Sequence, residues 1–208
     1  MLKLYGQYKS RAFRVCWMLK ESNVAYEHVN VTIHSADATA KADWYTRLNP
    51  NARVPTIDDE GFVMWESAAI NFYIAEKYRS ALWPADSAGR GRAHQWAFYI
   101  SNDVEAPMIT VFQNRFRFPP EKRNPKLADE AEPRLLDKLK VLEAELERAP
   151  YFQDASWGLA DFMVASVLYS LYEMKYAELA RFPKLNAWLN ASVARPAAQE
   201  AVKLRNAS

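Results

Sequence analysis

The chain has 208 residues, 50% of them apolar and 25% charged, with a net charge of +2. That length suits one or two small domains, each with its own core. The small charge excludes a field strong enough to argue for nucleic acid or an anionic membrane. No apolar run approaches the ~20 residues a membrane span needs, and Met1-Leu2-Lys3-Leu4-Tyr5 lacks the apolar core of a secretion signal. The single cysteine, Cys16, excludes an internal disulfide and fits a reducing compartment. The expectation is a soluble cytoplasmic protein.

The first eighty residues alternate strand and helix. Leu2 to Tyr5 alternates and ends at Gly6, Ser10 to Glu21 carries helical spacing, and Tyr26 to Val31 reads as a strand. Residues 37–48 predict a helix that ends before Asn49-Pro50, because a residue preceding proline disfavours the helical region. Val54-Pro55-Thr56-Ile57 and Phe62-Val63-Met64-Trp65 are short strands around the hairpin sequence Asp58-Asp59-Glu60-Gly61. Ser67 caps a helix over Ala68–Tyr78. The order is βαβαββα.

From Ser80 the character changes. Residues 80–87 read as a linker, and no convincing strand follows. A long helix is predicted over 88–118, bent at Pro107 and stopped by Pro119-Pro120. Residues 125–148 form a periodic helix with Leu135, Leu139, Leu142 and Leu146 on one stripe, read as core or subunit contact. Gly158–Tyr172 is apolar nearly all round and is placed centrally. A last helix starts after Pro183 and stops near Arg195-Pro196. The expected organisation is an α/β domain over 1–79, the linker, and an all-helical domain over 88–208.

The segment Asn49–Tyr78 carries most of the chemistry. Pro55 cannot donate to a ladder, so it belongs at a strand's first residue, on an edge or in a cis turn. A helix N-terminus beside such an edge holds both an anionic group and an extended peptide, which points to a small acidic peptide ligand. Ser10 is either the N-cap of the first helix or a donor at the carboxyl end of the first strand, where ligands of α/β units gather. No histidine or carboxylate stands near it as a base, so it reads as a hydrogen-bond donor rather than a nucleophile. Donation to a thiolate lowers the thiol's pKa from about 8.5. Cys16, between Val15 and Trp17, reads as a buried structural thiol rather than a redox centre. His28, His34 and His94 have no metal-ligand spacing, and Arg115-Phe116-Arg117-Phe118 reads as a solvated face with packed rings rather than a nucleic-acid surface. No GxGxxG, P-loop or GxSxG occurs.

Taken together, Leu4-Tyr5-Gly6 with Ser10 and Arg14-Val15, Asn49-Pro50 with Arg53-Val54-Pro55, and Trp65-Glu66-Ser67-Ala68 resemble the cytosolic glutathione S-transferase family. The likeness is to its bacterial serine-type, theta-like members and spans essentially the whole chain. Trp96 and Leu159-Ala160-Asp161 extend it into the helical half. The resemblance implies an α/β thioredoxin-like N-terminal domain (βαβαββα) plus an all-α C-terminal domain, with glutathione as co-substrate and no metal. It implies that Ser10 donates to the glutathione sulfur and that cis Pro55 turns Val54 to pair with the cysteinyl backbone. Glu66 and Ser67 then bind the γ-glutamyl end, while Arg53, and more weakly Lys41, meet the glycyl carboxylate. Met108, Phe112 and Phe116 are available to a hydrophobic co-substrate. A homodimer is also implied, in which Asp103 reaches the partner's γ-glutamyl amine.

This sequence departs from the family in places. Gly158 stands where a serine or threonine usually caps the buried helix. Tyr5 and Tyr8 flank the loop, and other classes use tyrosine for the thiol. Ser10 is favoured by its spacing from Tyr5 and Arg14, with Tyr8 as the alternative. The leading function is activation of the glutathione thiol for attack on an electrophilic apolar co-substrate, by conjugation, dehalogenation or peroxide reduction. The alternatives are a non-enzymatic protein-interaction relative and a glutathione-dependent isomerase.

Overall fold

The structure, a computed structural model, describes residues 1–33 and 38–208. Strand β1 (Leu2–Tyr5) runs parallel to β2 (Tyr26–Val29), with helix α1 (Ala12–Glu21) between them in sequence. Strand β3 (Thr56–Asp59) pairs antiparallel with β1, and β4 (Phe62–Trp65) antiparallel with β3, giving the order β2-β1-β3-β4. Glu60 and Gly61, at φ 57° and 95°, form the two-residue turn whose twist suits a hairpin. The Gly61 N–H donates to Asp58 Oδ1 at 2.7 Å, which fixes the turn. Helix α3 (Ser67–Lys77) follows β4 and packs with α1. This is a thioredoxin-like arrangement.

The predicted helix over 37–48 is instead two short pieces, a 3-10 turn at Thr39–Lys41 and α2 (Asp43–Thr46); its first position, residue 37, lies outside the described residues. The reason is local competition for the backbone. The Thr32 N–H donates to Thr39 Oγ1 at 2.7 Å, the Thr39 N–H donates to Thr32 Oγ1 at 3.0 Å, and the Ala40 N–H donates to Thr32 O at 3.0 Å. These bonds hold the chain in a form incompatible with one continuous helix. Val31, Ala40, Tyr45, Tyr5 and Val54 form a buried cluster beneath this segment.

The helical half opens with α4 (Ser87–Tyr99), whose N–H at Gly89 is capped by Asp86. The path then continues through a π turn (Ile100–Val104), α5 (Glu105–Phe112) and a second π turn (Gln113–Arg117). The regular α-helix is thus interrupted just ahead of Pro107, whose ring cannot approach the carbonyl of Asp103 in that geometry. Helix α6 (Pro125–Arg148) runs straight through Pro133 and buries Leu135, Leu139, Leu142 and Leu146. Helix α7 (Leu159–Glu173) is buried at nearly every position, and α8 (Pro183–Val193) packs against it.

One helix was missing from the sequence reading. Helix α8 stops at Val193, just before Arg195-Pro196 as expected, but Pro196 is also the first residue of α9 (Pro196–Asn206), since a proline's absent N–H is no loss at a helix start. This helix packs on α1, so the compact units are Met1–Trp83 with Ala194–Ser208, and Pro84–Val193. In this grouping residues 194–208 fall with the first unit, whereas the expected helical domain runs over 88–208. Among the described residues, no helix is long and apolar enough to cross a membrane.

Candidate functional site

Register places the predicted residues at one end of the sheet. Tyr5 pairs with Thr56, and Thr56 with Trp65. The carboxyl ends of β1 and β4 therefore lie beside the amino end of β3. Beyond these ends come the Gly6–Arg11 loop carrying Ser10, the Arg53-Val54-Pro55 turn, and Glu66-Ser67 at the start of α3. The crowding is tight at Gly6, with φ 138°, where an added Cβ would lie 2.9 Å from Ala12 Cβ and 3.0 Å from Val54 Cβ. Only glycine lets the serine loop pass this close to Val54.

Ser10 precedes α1 by two residues and does not cap it in the usual position, which Arg11 takes. Its hydroxyl donates to Gln7 O at 2.6 Å and accepts the Ala12 N–H at 3.1 Å. The Gln7 bond engages the hydroxyl hydrogen, while the Ala12 bond holds the oxygen in place. Tyr8 is buried and its hydroxyl lies 3.0 Å from that of Tyr26, which in turn lies 3.3 Å from Cys16 Sγ. Burial pushes the Tyr8 phenol up, only partly offset by the Tyr26 bond, so it stays protonated. Burial likewise pushes the Cys16 thiol up, consistent with a structural cysteine. His28 stacks on Tyr8 with ring centroids 4.0 Å apart and donates through Nε2 to Gly6 O at 2.7 Å.

The Val54–Pro55 peptide is cis, and among the described residues neither backbone polar group of Val54 has a hydrogen-bond partner. The turn is held from behind by residues the sequence reading did not single out as site supports. Tyr45 Oη donates to Arg53 O at 2.6 Å, and Asn49 Nδ2 donates to Arg53 O at 2.9 Å and to Thr56 Oγ1 at 3.2 Å. Asn49 Oδ1 accepts the Asn51 N–H at 3.0 Å, closing a small turn. The signal lay in Asn49-Pro50, which marks a helix stop but says nothing of the carbonyl that the asparagine holds. The Arg53 side chain is exposed, as is Lys41.

Ser67 was expected to cap α3; it is instead the first helical residue, and Glu66 precedes it at φ 75°, ψ 109°. That φ lies in the left-handed region that a non-glycine residue seldom occupies, and such outliers concentrate at binding sites. The exposed Glu66 side chain and the positive N-terminal end of α3 share this corner. Among the described residues, no group of three or more His, Cys, Asp or Glu is placed to hold a metal ion, and His34 lies outside those residues.

In the helical unit, Met108 and Phe112 are buried, while Phe116 is 44% exposed in the second π turn. Phe112 packs edge-on against Tyr176, with ring centroids 5.7 Å apart. Asp103 pairs with Lys138 Nζ at 2.9 Å.

Residues 1–76 match the family model described as "Glutathione S-transferase, N-terminal domain", and residues 103–196 match "Glutathione S-transferase, C-terminal domain". The glutathione S-transferase GstB of Escherichia coli K12 is 28% identical over 98% of this chain and 99% of its own. A theta class glutathione S-transferase from Xanthomonas axonopodis pv. citri, solved with glutathione bound, is 29% identical with a TM-score of 0.88, covering 97% of this chain and 96% of that one. Glutathione S-transferase III, solved in apo form, is 33% identical with a TM-score of 0.82, covering 97% of this chain and 95% of that one. With both halves matched and these relatives similar over nearly their full lengths, the chain belongs to the glutathione S-transferase family.

Proposed function

We propose that the corner formed by the Ser10 loop, Val54-Pro55 and Glu66-Ser67 binds glutathione and ionises its thiol. The observation that carries this reading is the convergence, at one end of the sheet, of a hydroxyl, the unpaired backbone of Val54 just ahead of β3 and a helix N-terminus. The cysteinyl backbone of glutathione pairs with Val54, whose N–H and C=O lack partners among the described residues. The γ-glutamyl carboxylate meets Ser67 and the first N–H groups of α3, an arrangement that favours an anion. Glu66 is the acceptor for the γ-glutamyl amine. Arg53 supplies a charged donor to the glycyl carboxylate, with Lys41 as the weaker candidate for the same role.

Ser10 turns its hydrogen from Gln7 O to the sulfur. A hydrogen bond to a charged group contributes about 1.5–3 kcal/mol, which corresponds to a thiol pKa lower by about 1–2 units. The thiolate then attacks an electrophilic centre on an apolar co-substrate, and no covalent protein intermediate is needed. Met108, Phe112 and Phe116 are the co-substrate side chains in this reading, and the exposed Phe116 is the most accessible of them. The active form is a cytoplasmic homodimer, with detoxification as its role. Asp103 would first have to release Lys138 to serve a partner's glutathione.

The test is to titrate glutathione into the wild type and Ser10→Ala while following thiolate absorbance. Wild type should bind glutathione with a lowered thiol pKa, and Ser10→Ala should bind it with the thiol largely protonated. A wild type that binds no glutathione overturns the reading.

A further inference from the structure

We infer that Arg205, on the C-terminal helix α9, is a positioning residue for Ser10. Arg205 Nη1 donates to Tyr8 O at 2.7 Å, and the residue is only 6% exposed. Its guanidinium also lies over the Phe13 ring, 5.3 Å from the centroid. One buried cation therefore holds the loop carbonyl two residues before Ser10 and a ring three residues after it.

The loop needs such a support. Its two ends are held by Gly6 N–H to Val29 O at 3.0 Å, His28 Nε2 to Gly6 O at 2.7 Å, Ser10 N–H and Oγ to Gln7 O at 3.0 and 2.6 Å, and Ala12 N–H to Ser10 Oγ at 3.1 Å. The Tyr8 carbonyl faces away from these and toward α9. Burying a charge is a poor source of net stability, because desolvation offsets most of the attraction. A planar fork that stacks and donates at once does, however, fix orientation, which a lysine cannot reproduce. The far end of α9 is anchored independently. Arg195 Nε and Nη2 donate to Glu21 at 2.9 and 2.8 Å, and Lys20 pairs with Glu200 at 3.4 Å. Helix α9 is thus tied to α1 along its length, and its last turn presents Arg205 to the serine loop. A group misplaced by about 1 Å costs up to about 100-fold in rate, so this support bears on thiol activation rather than only on folding.

The catalytic part of this inference rests on the Ser10 reading above, and the experiment separates the two. Full-length Arg205→Met, Arg205→Lys, Arg195→Gln and Ser10→Ala are compared with wild type by glutathione titration with thiolate absorbance, by steady-state kinetics, by thermal unfolding, and by hydrogen exchange over residues 6–13. Both Arg205 variants should bind glutathione within about threefold of wild type, raise the bound thiol's pKa and lose on the order of 10-fold in kcat/KM. Their Ser10 and Ala12 amides should exchange faster than in Arg195→Gln, which loosens α9 but leaves the thiol unchanged. Arg205→Lys keeps the charge and serves if Arg205→Met does not fold. Arg205 variants with wild-type thiol ionisation and loop exchange overturn the inference. A Ser10→Ala protein that still ionises the thiol overturns the Ser10 reading instead, and loop exchange then decides Arg205 alone.

Discussion

The hydroxyls of Tyr8 and Tyr26 lie 3.0 Å apart, and Tyr26 passes the contact on to Cys16 Sγ at 3.3 Å. Tyr8 is thereby tied to the layer between β2 and α1, with its ring on His28. In the function proposed above, this phenol supports the fold rather than a bound sulfur. Tyr8→Phe should therefore ionise bound glutathione as wild type does and unfold with about 1 kcal/mol less stability, from one lost neutral hydrogen bond. Ser10→Ala should instead leave the bound thiol largely protonated, whatever stability it loses with its bonds to Gln7 O and the Ala12 N–H. Denaturant titration and thiolate absorbance on the same samples distinguish them, and the converse pattern would reassign the sulfur contact to Tyr8.

Glu66 combines an exposed carboxylate with a backbone at φ 75°. Such strain amounts to about 1–3 kcal/mol, while glycine's extra chain entropy opposes relief of it by about 0.5–1 kcal/mol. Glu66→Gly should therefore be more stable than wild type by about 1 kcal/mol and bind glutathione at least about 10-fold more weakly. Calorimetric titration with glutathione beside thermal unfolding checks both signs. A variant that loses stability and keeps affinity would remove Glu66 from the site.

Much of this site was legible because its signals are local. Pro55 cannot sit in a central strand, Asp58 through Gly61 is turn chemistry, and Ser10 follows a strand by a short loop. The parts that escaped depend on distant partners. Thr39 looks like a helix residue until Thr32 takes its N–H and hydroxyl. Pro196 looks like a stop because a proline that ends one helix and one that starts another read alike without the packing of α9 on α1. Arg205 and Tyr8 are 197 positions apart, and no spacing rule joins them. Asn49 was visible as part of a motif, but its grip on Arg53 O exists only once the turn has closed.

Acid stability should depend on Asp59, which is 3% exposed at the end of β3. Burial alone would raise its carboxyl, but Lys77, Tyr78 and Tyr73 all donate to it and bring it below its ordinary value of 3.8. With the folded pKa lowered, ionised Asp59 stabilises the fold fully above the unfolded value. That contribution is lost as pH falls through the folded pKa. Asp59→Asn should lose about 2 kcal/mol at neutral pH, since two phenols and an ammonium lose a charged acceptor, and should flatten the decline below about pH 4. Urea unfolding from pH 3 to 7 measures both, and an unchanged acid slope would assign the dependence elsewhere.

The cap of α7 is built from an unexpected residue. Gly158 has no side chain to give, yet the Ala160 N–H donates to Gln153 Oε1 at 3.1 Å, and Gln153 Nε2 donates to Gly89 O at 3.1 Å. Gln153 thus replaces the serine or threonine cap usual in the family, while Asp161 Oδ2 accepts the N–H groups of Gly158 at 3.1 Å and Gln153 at 3.0 Å. A Cβ on Gly158 would lie 2.6 Å from Gln153 Cγ and 3.0 Å from its Cβ. Gly158→Ser alone should therefore destabilise by about 1–3 kcal/mol, the range for overpacking, although serine is the better cap in isolation. Gln153→Ala alone should lose about 1 kcal/mol for the missing cap. In the double variant the 2.6 Å clash with Cγ is gone, the milder 3.0 Å contact with Cβ remains, and the serine caps the helix, so its loss should be smaller than the sum of the two by about 1 kcal/mol or more. A double-mutant cycle by urea unfolding measures this coupling. Simple additivity would show that Gln153 neither caps α7 nor excludes a side chain at position 158.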